Sequence, residues 1–305
     1  MKIVVKIGGA ALENKETLKK CAQAVVQLSH DGHLVAVVHG GGSALTRTLK
    51  LLGKKSDFVH GLRVTDAETR DVALMVLAGI VNKSLVAAIA AAGQPAIGLC
   101  GGDGGIFRAR KKKDADIDLG YVGEICFSEP RWLRAIWAEG GIPVLSSVAL
   151  GGDGQYYNVN ADQMAAACAI ACEADALIFL TDVEGVKQAD GSVMARLDIK
   201  QAAGLIDESV VSGGMMPKLE ACTQALKSGV GRVRILPASQ VEMLPLFYFT
   251  KLECGTEVLR ALAWPLCRTW KRNSCFRLTS ASPSFLSVGG ACICGTRRAS
   301  AISIS

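Results

Sequence analysis

"VHGGGSAL", residues 38–45, joins a β-branched apolar run to three consecutive glycines and then to residues that favour a helix. Such a junction is typical of an α/β protein in which helices cover a parallel sheet. The bare N–H groups of the glycines, next to a helix N-terminus, suit an anion. An oxyanion hole, a phosphate-binding loop and a carboxylate-binding loop would all have this sequence, so other parts of the chain must decide between them.

The alternation of short β-branched runs with longer helical patterns continues through most of the 305 residues and predicts an α/β fold with a mostly parallel sheet. The predicted strands lie within residues 2–9, 33–42, 94–105, 142–150, 174–185 and 231–239, with a surface hairpin within 106–125. The predicted helices lie within residues 15–32, 66–92, 162–173 and 215–228. Beyond residue 260 the periodicity ends and serine becomes frequent, so no regular structure is predicted there.

Charge and cysteine spacing limit the classes of function. The 34 Lys and Arg outnumber the 28 Asp and Glu, but residues 261–305 contain six of the basic residues and no acidic residue. Residues 1–260 are therefore balanced in charge, which disfavours a nucleic-acid-binding groove. The eleven cysteines include no C-x2-C pair. This spacing is typical of free thiols in the cytoplasm rather than of zinc sites or a disulfide framework.

The N-terminus and the apolar segments predict neither export nor membrane insertion. Residues 1–12, MKIVVKIGGAAL, are interrupted by Lys6 and two glycines and are too short for the apolar core of a signal peptide. No run of about 18 uninterrupted apolar residues occurs. We therefore expect a cytoplasmic protein without a membrane span.

Two common glycine motifs do not account for residues 39–42. HGGG forms the oxyanion loop of lipase-like hydrolases, but those enzymes require a later G-x-S-x-G nucleophile elbow, which this sequence lacks. A Walker A loop and a clean G-x-G-x-x-G motif that opens a helix are also absent. Glycine turns nevertheless recur at residues 8–9, 101–105 and 213–214. At the carboxyl ends of parallel strands such turns would line one shared crevice.

Two lysines indicate what that crevice binds. Lys6 lies near the end of an otherwise apolar strand, just before the glycines at 8–9, and Lys218 lies early in the helix that follows the glycines at 213–214. A buried cation requires a partner, and two cations at glycine turns imply a strongly anionic ligand. Phosphoryl transfer is the chemistry that needs this arrangement, because charge on the phosphoryl oxygens must be stabilised.

The segment YNVNADQ, residues 157–163, supplies polar partners for these lysines. Asn158, Asn160 and Asp162 alternate, so we expect their side chains to share one face of an extended segment. We expect Asp162 to act both as the N-cap of the following helix and as the counter-ion of Lys6 and Lys218.

Six motifs together resemble those of the amino acid kinase family, and among its members those that phosphorylate N-acetyl-L-glutamate in arginine biosynthesis. They are, in chain order, KIGG, HGGG, GLRVTD, NVNADQ, TDVEG and GGMMPK. The resemblance covers about residues 1–259 and implies a three-layer sandwich around an open, largely parallel sheet of about eight strands. It implies that residues 1–174 bind the acyl-amino acid and form a dimer, that residues 175–259 bind ATP, and that 260–305 are an atypical tail.

The resemblance also implies the reaction and the residues that perform it. ATP, carrying Mg²⁺, would phosphorylate the γ-carboxylate to an acyl phosphate, and no general base is needed because that carboxylate is already ionised near neutral pH. No dedicated carboxylate cage for the metal is expected. The implied catalytic residues are Lys6, Lys218 and Asp162; those for the acyl-amino acid are Gly41, Gly42, Arg63 and Asn158; those for the nucleotide are Gly8, Gly9, Asp182, Gly185, Lys187 and Ser212.

Two alternatives keep the same fold. One is another carboxylate or carbamate kinase, for example one specific for N-acetylaminoadipate, and the other is a non-catalytic amino-acid-sensing domain. The sequence departs from the family after Gly255-Thr256, where a frameshifted or fused terminus would account for the last residues, whose removal we expect to leave activity unchanged. Arginine-inhibited relatives carry an additional N-terminal helix, so we expect here a homodimer, assembled through N-terminal helices, that is insensitive to L-arginine.

Overall fold

An eight-stranded sheet forms the centre of the fold in the computed structural model, which describes residues 1–114, 117–188, 190–207, 211, 213–248 and 254–260. The strands are β1 Lys2–Ile7, β2 Leu34–His39, β3 Phe58–Val59, β4 Leu62–Arg63, β5 Ala96–Leu99, β6 Phe107–Lys111, β7 Val122–Ser128, β8 Ile142–Ser146, β9 Val148–Gly151, β10 Tyr156–Val159, β11 Ala176–Thr181, β12 Arg196–Asp198, β13 Arg232–Pro237 and β14 Thr256–Leu259. The order in the large sheet is β12-β14-β13-β11-β1-β2-β8-β5. Every neighbouring pair is parallel except β13 and β14. The predicted α/β architecture is confirmed.

Helices cover both faces of this sheet. They are α1 Gly9–Glu13, α2 Lys15–His30, α3 Gly42–Leu51, α4 Ala67–Ala73, α5 Asn82–Ala91, α6 Arg131–Ala138, α7 Ala161–Ala171, α8 Ile199–Asp207 and α9 Met215–Lys227, with a π-helical segment at Leu74–Val81 and 3-10 segments at Asp103–Gly105 and Ala238–Tyr248. Residues of α2 and α5 form one hydrophobic core with β1 and β2, while α6, α7 and α9 form another on the opposite face. The three-layer arrangement follows from these two cores.

The alternation of β1 decides which side chains reach the site. Ile3, Val5 and Ile7 pack into the core beneath α2 and α5, whereas Val4 packs on the opposite face, against α7. Because successive side chains of a strand point to opposite faces, Lys6 shares the face of Val4. Lys6, near the carboxyl end of this strand, is thus directed toward Asp162 in the first turn of α7.

A smaller sheet of four strands closes on itself in the order β10-β7-β6-β9. The antiparallel pair β6 and β7 is the hairpin predicted within residues 106–125. The single strand predicted within residues 142–150 is instead two strands, because the chain leaves the large sheet after β8 and continues as β9 in the small one. The strands β12 and β14 and the helix α8 have weak sequence patterns and were not predicted.

The helix predicted within residues 66–92 is continuous from Ala67 to Ala91, with π-helical hydrogen bonding in its middle. Its N-cap is Asp66, whose carboxylate accepts a hydrogen bond from the N–H of Thr69 at 2.7 Å. By length and composition alone this helix would suffice to cross a membrane. Helices in the cores of soluble proteins have the same properties, and here α5 packs on the sheet through Leu85 and Ile89.

Two sequence-based expectations fall on residues outside the described part of the chain. They are the irregular tail at 261–305 and the nucleotide-binding role of Ser212. The two halves, 1–174 and 175–259, share one sheet, since β1 pairs with β2 from the first and with β11 from the second. Any ligands of the two halves would therefore meet at the carboxyl end of β1.

Candidate active site

Two cavities open at the carboxyl ends of the central strands. The first has a volume of about 230 Å³ and lies between the glycines of residues 40–42, the β3–β4 hairpin and β10. The second has a volume of about 720 Å³ and lies between the first turn of α1, the residues after β11 and the start of α9. Four residues line both cavities: Lys6, Gly9, Gly42 and Asp162. A group transferred between ligands of the two cavities would pass these four residues.

Three charged side chains meet at this junction. Asp162 forms an ion pair with Lys6, whose Nζ lies 2.8 Å from Oδ1, and accepts a hydrogen bond from Lys218 Nζ at 2.9 Å through Oδ2. Lys6, Asp162 and Lys218 are only 8%, 6% and 5% exposed. The Lys218 ammonium also lies 5.5 Å from the centre of the Phe179 ring. The predicted role of Asp162 as counter-ion of both lysines matches this geometry.

The pKa values of the cluster reflect burial and mutual charge. Burial lowers the pKa of Lys6, and the negative charge of Asp162 offsets only part of this effect. Burial alone would raise the pKa of Asp162, but the charges of Lys6 and Lys218 outweigh it and lower that pKa. Asp162 is therefore a carboxylate at neutral pH, and with both lysines protonated the cluster carries one net positive charge in a buried position.

The helix α7 positions Asp162, although not as predicted. The N-cap of α7 is Asn160, whose side-chain oxygen accepts from the N–H groups of Asp162 at 2.8 Å and Gln163 at 3.2 Å. The expectation that Asp162 caps this helix is wrong, because the N-cap lies two residues earlier, at Asn160, and Asp162 is in the first turn. Its carboxylate is thereby free for the two lysines.

The glycines of residues 40–42 line the first cavity at the start of α3. A Cβ atom on Gly41 would lie 2.7 Å from Leu77 Cδ2, and one on Gly9 would lie 3.3 Å from Gly41 Cα. Glycine at both positions lets the turns at Gly9 and Gly41 approach each other and lets Leu77 of the π-helical segment pack closely on Gly41. Because the first N–H groups of a helix lack partners inside it, the Gly42 N–H is available to a ligand here.

One predicted phosphate donor already has a partner. The N–H of Gly8 donates to the carbonyl oxygen of Leu180 at 3.0 Å, which continues the pairing of β1 with β11. The Gly8 amide is thus already paired within the sheet, while Gly8 itself lines the second cavity, and its contact with phosphate stays a prediction. Gly9 begins α1, so its amide has no partner within that helix.

Arg63 lies in the wall of the first cavity, on β4. Its Nη2 donates to Thr46 Oγ1 at 2.6 Å and to the Gly42 carbonyl at 3.1 Å, its Nη1 donates to Ser56 Oγ, and its guanidinium lies 4.6 Å from the Phe58 ring centre. Burial lowers its pKa. These contacts hold the planar guanidinium, with its two Nη groups, beside the start of α3.

Asn158 lies across the first cavity on β10. Its side-chain nitrogen donates to Thr65 Oγ1 at 3.4 Å. The lining of this cavity thus includes two cations, Lys6 and Arg63, together with the polar side chain of Asn158. Two cations in one small cavity suit a doubly anionic ligand.

The predicted nucleotide residues divide into two groups. Asp182 lines the second cavity together with Gly8, Gly9 and Lys218. Lys187 lies outside that lining and is 3.9 Å from Glu184 in an exposed ion pair. Gly185 is likewise not in the lining; a Cβ there would lie 2.7 Å from Thr256 Oγ1 and from Val193 Cγ1.

The cavities also contain residues that the motifs did not indicate. Ser147, which is buried, and Leu77 line the first, and Ser43, Ala238 and Ser239 line the second. Ser147 directly follows β8 and Ser239 lies two residues after β13, at the carboxyl ends of parallel strands. The predicted strand segments, 142–150 and 231–239, included both serines, so the sequence did not mark them as strand ends. Leu77 gave no signal because it belongs to an apolar helix.

Comparison with known proteins identifies the family of this fold. The sequence model of a protein family described as the amino acid kinase family matches residues 1–237. The chain belongs to the amino acid kinase family. A protein of Acidobacterium capsulatum named acetylglutamate kinase is 63% identical over 259 residues, which cover 85% of this chain and 99% of the relative. A protein of the same name from Koribacter versatilis is 57% identical over 259 residues, with the same coverage.

A solved structure shares the architecture of this amino acid kinase family member. N-acetylglutamate synthase from Neisseria gonorrhoeae, solved with coenzyme A and N-acetyl-glutamate, is 27% identical and superposes with a TM-score of 0.76. The similarity covers 85% of this chain and 59% of the synthase chain. The eight-stranded sheet is therefore that of the family.

Proposed function

We infer that this chain catalyses the ATP-dependent phosphorylation of the γ-carboxylate of N-acetyl-L-glutamate, a step of arginine biosynthesis. Relatives named acetylglutamate kinase are 63% and 57% identical, and the aligned residues span 99% of each relative. One structural observation supports the reaction most directly. Two cavities of different size meet at a buried cluster with one net positive charge, as in-line transfer between two anionic substrates requires.

The acyl-amino acid occupies the smaller cavity in this proposal. Arg63 binds the α-carboxylate, exchanging some of its hydrogen bonds with Ser56, Thr46 and Gly42 for the bidentate contact that arginine favours. Asn158 binds the same substrate from β10. The γ-carboxylate then points toward the Lys6 end of the cavity. The amides of Gly41 and Gly42 donate to its oxygens and to the arriving phosphoryl group.

The nucleotide occupies the larger cavity. Gly9 and Lys218 contact its phosphates, and Asp182 lies beside them in the cavity wall. Gly185, Lys187 and Ser212 are proposed to contribute to nucleotide binding from the surrounding turns. An oxygen of the γ-carboxylate attacks the γ-phosphorus, the bond from that phosphorus to the bridging oxygen of ADP breaks, and ADP leaves as the acyl phosphate forms.

Lys6 and Lys218 act where charge develops during this transfer. Their ammonium groups stabilise the phosphoryl oxygens and the leaving oxygen of ADP. Asp162 holds both ammonium groups in place and reduces their mutual repulsion, so that two cations can be buried 2.8 and 2.9 Å from its oxygens. No proton has to move, because the acceptor is an anion at neutral pH.

Magnesium arrives with the nucleotide in this proposal. The described residues contain no cluster of three or more His, Cys, Asp or Glu side chains that would hold a metal ion, and the oxygens of Asp162 are both bound by lysines. When it is carried in by ATP, Mg²⁺ would neutralise part of the phosphate charge.

We also propose a homodimer in the cytoplasm. Met75 and Ile80 on the Ala67–Ala91 helix are 59% and 66% exposed, and Ile97 on the edge strand β5 is 47% exposed. Large exposed apolar side chains on one helix and a neighbouring strand edge favour contact with a second copy. The seven cysteines of the described ranges, among them the exposed Cys126, are all free, as in a reducing compartment.

The reaction is tested by trapping its product. The full chain is incubated with Mg-ATP and one acceptor at a time, and any acyl phosphate formed is converted to a hydroxamate. The acceptors are N-acetylglutamate, N-acetylaminoadipate, N-acetylaspartate, glutamate and carbamate. We expect turnover to be highest with N-acetylglutamate. Preference for another acceptor would identify a different carboxylate or carbamate kinase, and binding of N-acetylglutamate without turnover on any acceptor would indicate a sensing domain.

A further inference from the structure

The first residue of the HGGG motif lies in neither cavity. His39 is the last residue of β2 and is fully buried. It pairs with Ile7 in the register of β1 and β2, so its side chain lies on the face covered by α2 and α5, opposite that of Lys6. A histidine in this position does not touch the reacting groups. The question is what holds a fully buried imidazole there.

Two hydrogen bonds fix both ring nitrogens of His39. Nδ1 lies 2.8 Å from the carbonyl oxygen of Gly40, and Nε2 lies 3.0 Å from the side-chain nitrogen of Asn82. The same Asn82 nitrogen lies 3.0 Å from the carbonyl oxygen of Val144 on β8. A carbonyl oxygen only accepts, so the Asn82 nitrogen donates to Val144 and to His39 Nε2, and the imidazole proton must be on Nδ1.

The proton on Nδ1 determines the orientation of a neighbouring peptide unit. The Gly40 carbonyl and the Gly41 N–H belong to one planar trans peptide, in which the two bonds point in opposite directions. Holding the Gly40 oxygen toward His39 therefore directs the Gly41 N–H away from the core, toward the cavity that Gly40, Gly41 and Gly42 line. The donated hydrogen bond also polarises that peptide and strengthens its N–H as a donor.

We propose that His39 and Asn82 are positioning residues that orient the Gly41 N–H toward the carboxylate being phosphorylated. The inference rests on the proposed function, because it assigns the Gly41 amide to that acceptor. His39 works as a neutral imidazole, and burial lowers its pKa to about 4. It therefore keeps the same tautomer throughout the physiological pH range.

The packing around Asn82 holds its side-chain amide in place beside His39. A Cβ on Gly98 would lie 1.9 Å from Asn82 Oδ1, so only glycine on β5 leaves room for this amide. Asn82 begins α5 directly after the π-helical segment Leu74–Val81, and Leu77 of that segment covers Gly41. Helix segments with π-type hydrogen bonding are frequent at functional sites. The same continuous helix thus contacts the glycine turn through a hydrogen-bonded relay and through an apolar side chain.

Two substitutions of similar shape separate the hydrogen bond from the packing. In His39→Asn the amide nitrogen is bonded to Cγ, as Nδ1 is in histidine, and can donate to Gly40; His39→Leu has the same branching without a donor. Ser146→Ala is the control, because Ser146 is buried and pairs with His39 in the β2–β8 register. Each variant is first shown to be folded by circular dichroism and thermal unfolding.

We expect His39→Leu to lower kcat with N-acetylglutamate by about tenfold or more, since misdirecting an oxyanion donor acts on the transition state, with little change in the KM for ATP. His39→Asn is expected to recover most of this loss, and Ser146→Ala to retain full kcat. Equal kcat for the leucine variant and wild type, or equal losses in folded asparagine and leucine variants, would overturn the proposal.

A second measurement does not depend on turnover. Long-range ¹H–¹⁵N spectra of the full chain report which nitrogen of each imidazole carries the proton, and the His39→Asn variant identifies the His39 signals. We expect a neutral Nδ1–H tautomer that does not titrate between pH 6 and 8. A titrating or Nε2-protonated His39 would refute the relay. Absence of kinase activity in wild type together with the expected tautomer would instead count against the proposed function alone.

Discussion

Replacing Lys218 with methionine separates the contribution of the charge cluster to catalysis from its contribution to stability. Lys218 is 5% exposed, and its Nζ lies 2.9 Å from Asp162 Oδ2. Methionine has a similar length and would pack near the Phe179 ring, which already lies 5.5 Å from the ammonium. The substitution leaves Asp162 paired with Lys6, so the net charge of the cluster falls from plus one to zero.

The size of the electrostatic change can be estimated from the contact distance. At 2.9 Å and an effective dielectric constant of about 20, attraction to Asp162 stabilises a charged Lys218 by about 6 kcal/mol. Desolvation of a buried ammonium costs several kcal/mol, and repulsion from Lys6 adds to that cost. The terms nearly cancel, so we expect the free energy of unfolding of Lys218→Met to equal or exceed that of wild type.

Catalysis has no such compensation. If Lys218 stabilises charge that develops during phosphoryl transfer, its loss lowers kcat by about 10² or more, while the KM values change less. The assay is steady-state hydroxamate formation with both substrates varied, together with thermal unfolding. Lys227→Met is the matched control, because Lys227 is exposed on the same helix. An unchanged kcat with raised KM values, or a strongly destabilised protein, would refute the reasoning.

Three further predictions concern the walls of the site. Arg63→Lys is expected to raise the KM for N-acetylglutamate and not that for ATP, since lysine keeps the charge but loses the fork that now donates to Gly42 and Thr46; an unchanged KM would place the α-carboxylate elsewhere. Gly41→Ala is expected to reduce activity, because its Cβ would lie 2.7 Å from Leu77 Cδ2, and Leu77→Ala should restore part of it in the double variant. If the double variant is no more active than Gly41→Ala, steric contact is not the cause. The lowered pKa of Asp162 stabilises the folded protein at pH values above 3.8, the usual pKa of the carboxyl, and this stabilisation is lost as the pH falls through the pKa of the folded protein. Melting temperatures measured from pH 7 to 3 should therefore fall less steeply for Asp162→Asn than for wild type. Equal slopes of melting temperature against pH would contradict the lowered pKa.

The parts of the fold that could be predicted are those with strong local patterns. β1, β2 and β11 consist mainly of β-branched and other apolar residues and are buried on both faces over most of their length, which is typical of central parallel strands. β12 and β14 have only three and four residues, and each includes a charged residue, so neither has a distinct apolar run. Their pairing is decided by tertiary contacts rather than by their own sequences.

The same distinction explains which site residues the sequence reveals. Lys6 and Lys218 stand out because a charge in an apolar strand or after a glycine turn conflicts with its local pattern, and such conflicts mark functional positions. The assignment of the helix cap depended on whether α7 begins at 161 or at 163, because Asn160 and Asp162 are both residue types that cap helices.

His39 and Asn82 conflict with nothing in their local sequence, since a histidine beside glycines and an asparagine in a helix are both ordinary. Their relation appears only when β2, β8 and the helix at 67–91 are assembled, 43 residues apart in the chain. A buried charge such as Lys6 conflicts with its local sequence, whereas a residue that orients a backbone amide needs only one correctly placed hydrogen bond. Groups of the second kind therefore have to be sought in the packed structure, behind the backbone that forms the site.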